Sequence, residues 1–237
     1  MKVLMLAAGV GTRISRYLGD HPKCCVEVGG KPLIRRTMEL FYRNNITDIA
    51  IVVGYQEKYI HEALKGFEYT TYKNPFYKVT NSIASMWFAK DFMDSNEDFL
   101  ILNADLFIED SMLNRLINIK KSPIFLSDST RIKDADYRFN WEDDRLLRFG
   151  KELTNEETTG EYVGIAKIEK QDIKTMKAQL EYLVDQGEYN IWWEDVFYSL
   201  VETGKPIYIE DIKGSFWAEV DFIEDYNRIL DYIKNKK

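Results

Sequence analysis

The sequence predicts an α/β protein, a Rossmann-like three-layer α/β/α arrangement around a mixed, mainly parallel sheet, with a small antiparallel lid. Three observations carry this expectation. Short apolar runs alternate with segments of helical period, as in successive βαβ units. A glycine turn follows directly on the first of these runs, in Leu6-Ala7-Ala8-Gly9-Val10-Gly11. From about 128 to 168 the pattern changes, with apolar and charged residues alternating as they do in antiparallel strands at a sheet edge.

Taken in order, Val3 to Ala8 reads as the first strand, because its apolar run breaks into glycines too early for a signal peptide. Pro32 to Asn44 reads as a helix with proline near its start and Leu33, Ile34, Thr37, Met38, Leu40 and Phe41 facing inward. Ile49 to Val53 is the second strand, Gln56 to Lys65 a helix stopped by Gly66, and Glu68 to Tyr72 a short third strand. A helix over Ser82 to Met93 precedes a buried strand, Phe99 to Leu102, that ends in Asn103-Ala104-Asp105. A helix from Met112 to about Lys120 and a strand over Ile124 to Leu126 follow. Tyr137 to Trp141, Leu146 to Phe149 and Tyr162 to Ile168 alternate as strands. Helices over Lys170 to Gln186 and Trp193 to Glu202, a strand over Ile207 to Glu210 and a helix from Ile223 to Lys234 complete the chain. No linker or internal repeat marks a boundary, so residues 1–237 are expected to form a single domain with 128–168 as its lid or insertion.

Composition narrows the function. With 45% hydrophobic and 30% charged residues the chain has the balance of a globular protein, and no apolar run is long enough for a bilayer span. A net charge of -7 argues against a nucleic-acid partner. The two cysteines, Cys24 and Cys25, are neighbours and cannot staple distant segments, which fits a reducing, cytoplasmic compartment; with only His21 and His61 beside them, a zinc site is not expected.

The glycine turn continues through Thr12 to Arg13, and such a turn can present successive backbone N–H groups to a phosphate. It is neither of the two familiar phosphate loops. A dinucleotide fingerprint needs a third small residue where Ile14 stands, and in a P-loop Gly30-Lys31 would be followed by serine or threonine rather than Pro32. A second cation, Lys23, follows Pro22. Two cations near one phosphate loop can offset the charge on a triphosphate, although as an isolated pair they would equally be solvated loop charges. Asp105, at the carboxyl end of a buried strand, faces the crevice where open α/β sheets bind ligands and suits Mg²⁺; alone, it could equally cap a turn.

The whole stretch Leu6 to Arg13, then Pro22-Lys23, then Val28-Gly29-Gly30-Lys31-Pro32-Leu33-Ile34, closely resembles the signature of the nucleotidyltransferases that include sugar-phosphate nucleotidylyltransferases and phosphocholine cytidylyltransferases. The match is dense over the first thirty-odd residues and weaker beyond. The resemblance implies a fold of the nucleotide-diphospho-sugar transferase type and assigns Arg13 and Lys23, as catalytic residues, to the nucleotide phosphates. It also pairs Asp221, in Trp217-Ala218-Glu219-Val220-Asp221, with Asp105 as ligands of a Mg²⁺ cofactor, Glu219 being the substitute if the register shifts. A glycosyltransferase of the GT-A kind would show Asp-x-Asp where Asp105 is followed by Leu106 and Phe107.

Thr80-Asn81-Ser82 with Ser85 is more similar to the phosphocholine and aminoethylphosphonate cytidylyltransferases than to the sugar-1-phosphate enzymes. CTP is therefore the expected nucleotide, bound by Leu6, Ala7, Ala8, Gly9, Gly11, Thr12, Arg13, Asn81, Ser82, Ser85 and Ala104. Glu161, Trp192, Trp193 and Asp195 combine carboxylates with aromatic faces and are the candidates for an acceptor site, where a cationic head group would suit them. Tryptophans beside a helix start also serve a core. The expected reaction is in-line attack by a phosphate or phosphonate oxygen of a small acceptor on the α-phosphorus of CTP, releasing pyrophosphate. The acceptor classes in view are phosphocholine, aminoalkylphosphonate and amino-acid phosphate, in cell-surface polysaccharide or phosphonate biosynthesis. The alternatives are a sugar-1-phosphate enzyme using UTP, GTP or dTTP, and a nucleotide-binding regulator without catalysis. No nucleic-acid or membrane partner is expected, and the oligomeric state stays open, a homodimer among the arrangements.

Overall fold

A computed structural model describes residues 1–11, 21–201 and 203–236. The chain opens with β1 (Lys2–Ala7), whose continuous apolar run suits a strand covered on both faces. A hairpin of β2 (Glu27–Val28) and β3 (Lys31–Pro32) follows, turned by Gly29 and Gly30 at φ of 59° and 78°, conformations that glycine adopts without strain. Helix α1 (Leu33–Arg43) leads to β4 (Asp48–Val53), α2 (Glu57–Ala63) to β5 (Thr70–Lys73), and α3 (Ser82–Phe88) to β6 (Phe99–Asn103). Then come β7 (Leu106–Ile108), α4 (Asp110–Asn118), β8 (Ile124–Asp128), β9 (Arg138–Glu142), β10 (Arg145–Gly150) and β11 (Gly160–Ile168). The chain continues through α5 (Lys170–Asp185), α6 (Asp195–Val201), β12 (Tyr208–Asp211), β13 (Trp217–Glu219) and α7 (Ile223–Asn235).

Among the described residues nine strands form one mixed sheet, in the order β5-β4-β1-β6-β11-β8-β12-β10-β9. Strands β5, β4, β1 and β6 run parallel, as does β12 beside β8. Strand β11 is antiparallel to both β6 and β8, and β10 to both β12 and β9. Alternate residues of each strand reach opposite faces. Val3 and Met5 pack with Ile34, Met38 and Phe41 of α1 and with Leu113 and Leu116 of α4. Leu4, Phe99 and Ile101 pack with Ile83 and Met86 of α3, Met176 and Leu180 of α5, and Val196 and Phe197 of α6. Helices thus cover both faces, giving the three layers that the periodicity predicts. A third, smaller cluster of Val26, Val28, Leu33, Ala218, Val220 and Ile229 joins the β2–β3 hairpin to β13 and α7. Among the described residues no helix is long and apolar enough to cross a membrane.

Several elements differ from the expectation, each for a local reason. Of the stretch expected as a lid, 160–168 is a central strand, buried along its whole length and paired on both sides; its charged residues, Glu161 and Lys167, disguise that burial in the sequence. The helix expected over 82–93 stops at Phe88 and tightens into a 3₁₀ turn over Lys90–Met93, with the Ala89 amide bonded to the Met86 carbonyl. The helix expected from Trp193 starts at Asp195, because the amides of Trp192 and Trp193 are held by Asp195 Oδ2 at 2.7 Å and Ser82 Oγ at 2.9 Å. The antiparallel pair β7–β13, only three residues long on each side, was not foreseen.

Candidate active site

Strand β1 has β4 on one side and β6 on the other, so the chain departs in opposite directions across the sheet at this point. The carboxyl ends of such strands bound a crevice. A cavity of about 380 Å³ opens there, floored by Leu6 to Gly9 and by Asn103 to Asp105. The Ala104 amide donates to the Leu6 carbonyl at 3.1 Å and the Tyr55 amide to the Ala8 carbonyl at 3.0 Å, which pins the three strand ends together. Gly54 permits the second bond, since a Cβ there would lie 2.8 Å from the Ala8 carbonyl oxygen.

Gly11 stands at φ +65°, and a Cβ on it would collide with Cγ of Lys23. The missing side chain therefore does two things: it allows the turn, and it lets the lysine stem lie against the backbone. At its tip the Lys23 ammonium pairs with Asp105 and, at 2.6 Å, with Asp221 Oδ1. Burial alone would lower the lysine's pKa, but Asp105, Asp221 and Glu219 together raise it above its ordinary range, so the ammonium stays protonated. Asp221 arrives from the far end of the chain because β13 pairs with β7, Glu219 opposite Leu106, and the Val220 amide donates to the Asp105 carbonyl at 3.1 Å. The cluster of Lys23, Asp105 and Asp221 is thus assembled from three segments.

Glu219 lines the same cavity. Its Oε1 accepts from Asn103 Nδ2 at 3.0 Å, while Asn103 Oδ1 accepts from Trp193 Nε1 at 3.0 Å; the indole donor sets the amide's orientation, and the amide orients the carboxyl. Burial, with Asp105 adding to it, raises the Glu219 carboxyl well above the usual range, and Lys23 pulls against that shift.

The polar rim is built around Asn74, which is fully buried. Its Nδ2 donates to Thr80 Oγ1 at 3.2 Å and Ser85 Oγ at 3.1 Å, and its Oδ1 accepts from the Phe76 amide at 2.9 Å. Asn81 Oδ1 accepts from the Ser82 amide at the start of α3. Asn81, Ser82 and Ser85 all face the cavity.

The opposite wall is aromatic and acidic: Tyr137, Tyr162, Tyr198 and Trp192 surround Glu194, with Asp136 and Lys151 beside them. Lys151 Nζ pairs with Asp136 at 2.8 Å and lies 5.8 Å from the Trp192 ring centre. Burial pushes the Glu194 carboxyl up to about 8, its own backbone amide opposing the shift. Five acidic side chains and two lysines line the described cavity.

Of the residues singled out from the sequence, Leu6, Ala7, Ala8, Gly9, Gly11, Lys23, Asn81, Ser82, Ser85, Ala104, Asp105, Asp221 and Trp192 meet in this one cavity. Thr12 and Arg13 lie outside the described residues. Glu161, Trp193 and Asp195 stand behind the wall rather than in it. Glu161 is turned into the protein by Arg131 and by the Asp136 amide at 2.8 Å, so it braces the loop that carries Asp136 and Tyr137. Trp193 is fully buried, and Asp195 holds the Trp192 amide. Sequence reasoning missed Glu194, Tyr137, Tyr162, Tyr198 and Asn74 as lining residues. The acidic pair Glu194-Asp195 was visible, but which member faces the ligand depends on where α6 begins.

Glycine turn, buried lysine and convergent carboxylates at the switch point of a mixed α/β sheet define a nucleotide-handling transferase. The chain belongs to the MobA-like NTP transferase domain family, whose profile matches residues 3–130, and it is a nucleotidyltransferase. It is 26% identical to the CTP:phosphoglutamine cytidylyltransferase of Campylobacter jejuni, over 95% of this chain and 97% of that one. It is 22% identical to the choline-phosphate cytidylyltransferase of Streptococcus pneumoniae over the full length of both. The fold superposes on the inositol-1-phosphate CTP transferase of T. maritima with a TM-score of 0.82, at 19% identity, covering 98% of this chain and 96% of the other.

Proposed function

We propose that this protein transfers CMP from CTP to a small acceptor bearing a phosphate or phosphonate group and releases pyrophosphate. The observation that carries the proposal is the Lys23 ammonium held between Asp105 and Asp221 at the mouth of the β1–β6 crevice. The full-length relatives named for CTP support the choice of nucleotide, and the short polar side chains of Asn81, Ser82 and Ser85 suit the edge of a pyrimidine.

In this mechanism the acceptor oxygen, already ionised near neutral pH, attacks the α-phosphorus in line, and the bond to the bridging oxygen of pyrophosphate breaks. Lys23 donates to the non-bridging oxygens of the α-phosphate, where charge gathers in the transition state. Backbone groups from Ala7 to Gly11 cradle the nucleotide, and Arg13 is assigned to the departing pyrophosphate. Asp105 and Asp221 are the residues that would hold Mg²⁺. Their oxygens converge on one positive charge, the Lys23 ammonium, and two carboxylates suit an ion that takes its remaining ligands from phosphate and water. When bound, Mg²⁺ would offset the negative charge of the triphosphate. We assign the protein to the reducing cytoplasm, which suits two adjacent free cysteines.

The test is incubation with Mg²⁺, each of CTP, UTP, GTP and dTTP in turn, and a pool of small phosphates and phosphonates, with pyrophosphate and new nucleotide-linked masses measured. CTP-dependent CMP adducts are expected, and preference for another nucleotide overturns the reading. Lys23→Ala and Asp105→Ala should each lower kcat by about 10²-fold or more; near-normal turnover of either would remove these residues from the mechanism.

A further inference from the structure

Asn74, the residue after β5, is fully buried at the polar rim of the cavity. Its side-chain amide has one orientation. The Phe76 backbone amide donates to one end of it at 2.9 Å, so that end is the oxygen and the other is the NH₂ group. Both N–H donors of that group are in use, one to Thr80 Oγ1 at 3.2 Å and one to Ser85 Oγ at 3.1 Å. The backbone is held as well, because the amide of Asn74 itself donates to the Val53 carbonyl at 2.9 Å.

A hydroxyl that accepts from a neighbour still has its own proton to give. Thr80 gives its proton to the Phe76 carbonyl at 2.9 Å. Ser85, on α3, does not. Among the described residues no protein oxygen accepts from its hydroxyl, and the residue is 4% exposed and lines the cavity. With an N–H group behind it, the hydroxyl cannot turn its proton back toward Asn74. A ligand that donated to Ser85 would leave that proton buried and unpaired, which is costly, whereas a ligand that accepts completes it.

We infer that Asn74 is a positioning residue that sets the base preference of the nucleotide site, holding the Ser85 hydroxyl as a donor to N3 of cytosine. The pyrimidines differ at that atom: N3 of cytosine is an acceptor, whereas N3 of uracil and thymine carries a hydrogen. A donor fixed opposite N3 pairs with cytosine and meets uracil proton against proton. Asn74 acts on the base through Ser85, by denying the hydroxyl its other direction. The inference deepens the CMP-transfer reading and rests on it for the presence of CTP in this cavity.

The experiment measures, on the full chain with Mg²⁺, calorimetric Kd for CTP and UTP and kcat/KM for each from pyrophosphate release, with the pool of small phosphates and phosphonates as acceptor. The parent should favour CTP by about tenfold or more. Ser85→Ala should weaken CTP by about tenfold and UTP far less, so that the ratio collapses toward one. A carboxylate at position 74 can only accept, so Asn74→Asp should draw the Ser85 proton inward, turn the oxygen to the cavity and shift the ratio toward UTP. In a Ser85→Ala background the same substitution should leave the ratio unchanged. Ser85→Ala removes a single oxygen atom and keeps the inference falsifiable should Asn74→Asp fail to fold. Equal losses for both nucleotides in Ser85→Ala, the result of contact with O2 or of a purely structural role, overturn the inference. So does Asn74→Asp that folds and retains the parent ratio, or a parent that binds UTP as well as CTP. If calorimetry shows the preference and its loss but no pyrophosphate is released, the transfer reading falls and the base preference stands. If CMP is transferred while the ratio survives both substitutions, the assignment of Asn74 falls and the transfer reading stands.

Discussion

Glu194 shows how one buried side chain links the cavity wall to stability. Its carboxyl sits at about 8 in the folded protein against 4.5 for an ordinary glutamate, because burial penalises the charged form. Between those two values an unfolded chain releases this proton while the folded protein keeps it. Folding stability should therefore fall as pH rises through that window and level off above it, by up to ~1.4 kcal/mol per pH unit from this group. Glu194→Gln should flatten the decline, so that the variant's gain over the parent grows between pH 5 and 8 in urea unfolding. An equal slope in both proteins would contradict the assigned environment. Lys23 is the opposite case. Its burial is tolerated because Asp105, Asp221 and Glu219 surround it, and the charge it keeps is the one the proposed chemistry uses.

The start of α3 and the loop before α6 form one unit. The Asn81 amide donates to the Tyr189 carbonyl at 2.8 Å, and Ser82 Oγ accepts from the Trp193 amide at 2.9 Å. This clamp fixes where α6 begins, and thereby which of Glu194 and Asp195 faces the cavity. Ser82→Ala should cost about 1 kcal/mol and speed hydrogen exchange at the Trp193 amide; unchanged protection there would mean that the loop is held by other contacts. At the opposite rim, Gly54→Ala would force a Cβ onto the Ala8 carbonyl. It should destabilise the protein by roughly 1–3 kcal/mol, measured by urea unfolding. In sequence Gly54 is only one glycine after a strand, and the close approach that requires it is visible only in the packed turn.

Across the whole molecule, the third cluster is what connects the two ends of the chain. Val26, Val28 and Leu33 from the first segment meet Ala218, Val220 and Ile229 from the last, and Asp221 follows directly on that contact. Ile229 is fully buried and belongs to none of the cavity walls. Ile229→Ala should lower stability by about 2–4 kcal/mol, and it should reduce turnover with CTP although residue 229 touches no substrate in the proposed mechanism. Full activity in a stably folded variant would mean that Asp221 is positioned independently of this core.

What the sequence determined by itself is local. Apolar periodicity is read over one turn of helix or two residues of strand, so the alternation of strands and helices, the glycine turn, Lys23 behind Pro22 and Asp105 at a strand end were all legible. So was the kinship of the first segment, and through it the pairing of Asp221 with Asp105. Tertiary structure decided the rest. The contact between Asp221 and Lys23 depends on two three-residue strands more than a hundred residues apart, too short to carry a pattern. Strand Gly160–Ile168 reads as amphipathic because it carries Glu161 and Lys167, and it can be buried because partners distant in sequence satisfy them: Arg131 pairs with Glu161, and the Ile119 carbonyl accepts a hydrogen bond from Lys167. The split between Trp192 in the wall and Trp193 in the core, and between Glu194 facing the cavity and Asp195 holding a backbone amide, is a matter of helix phase. That phase is set by a hydrogen bond from another element, and no window of sequence contains both partners.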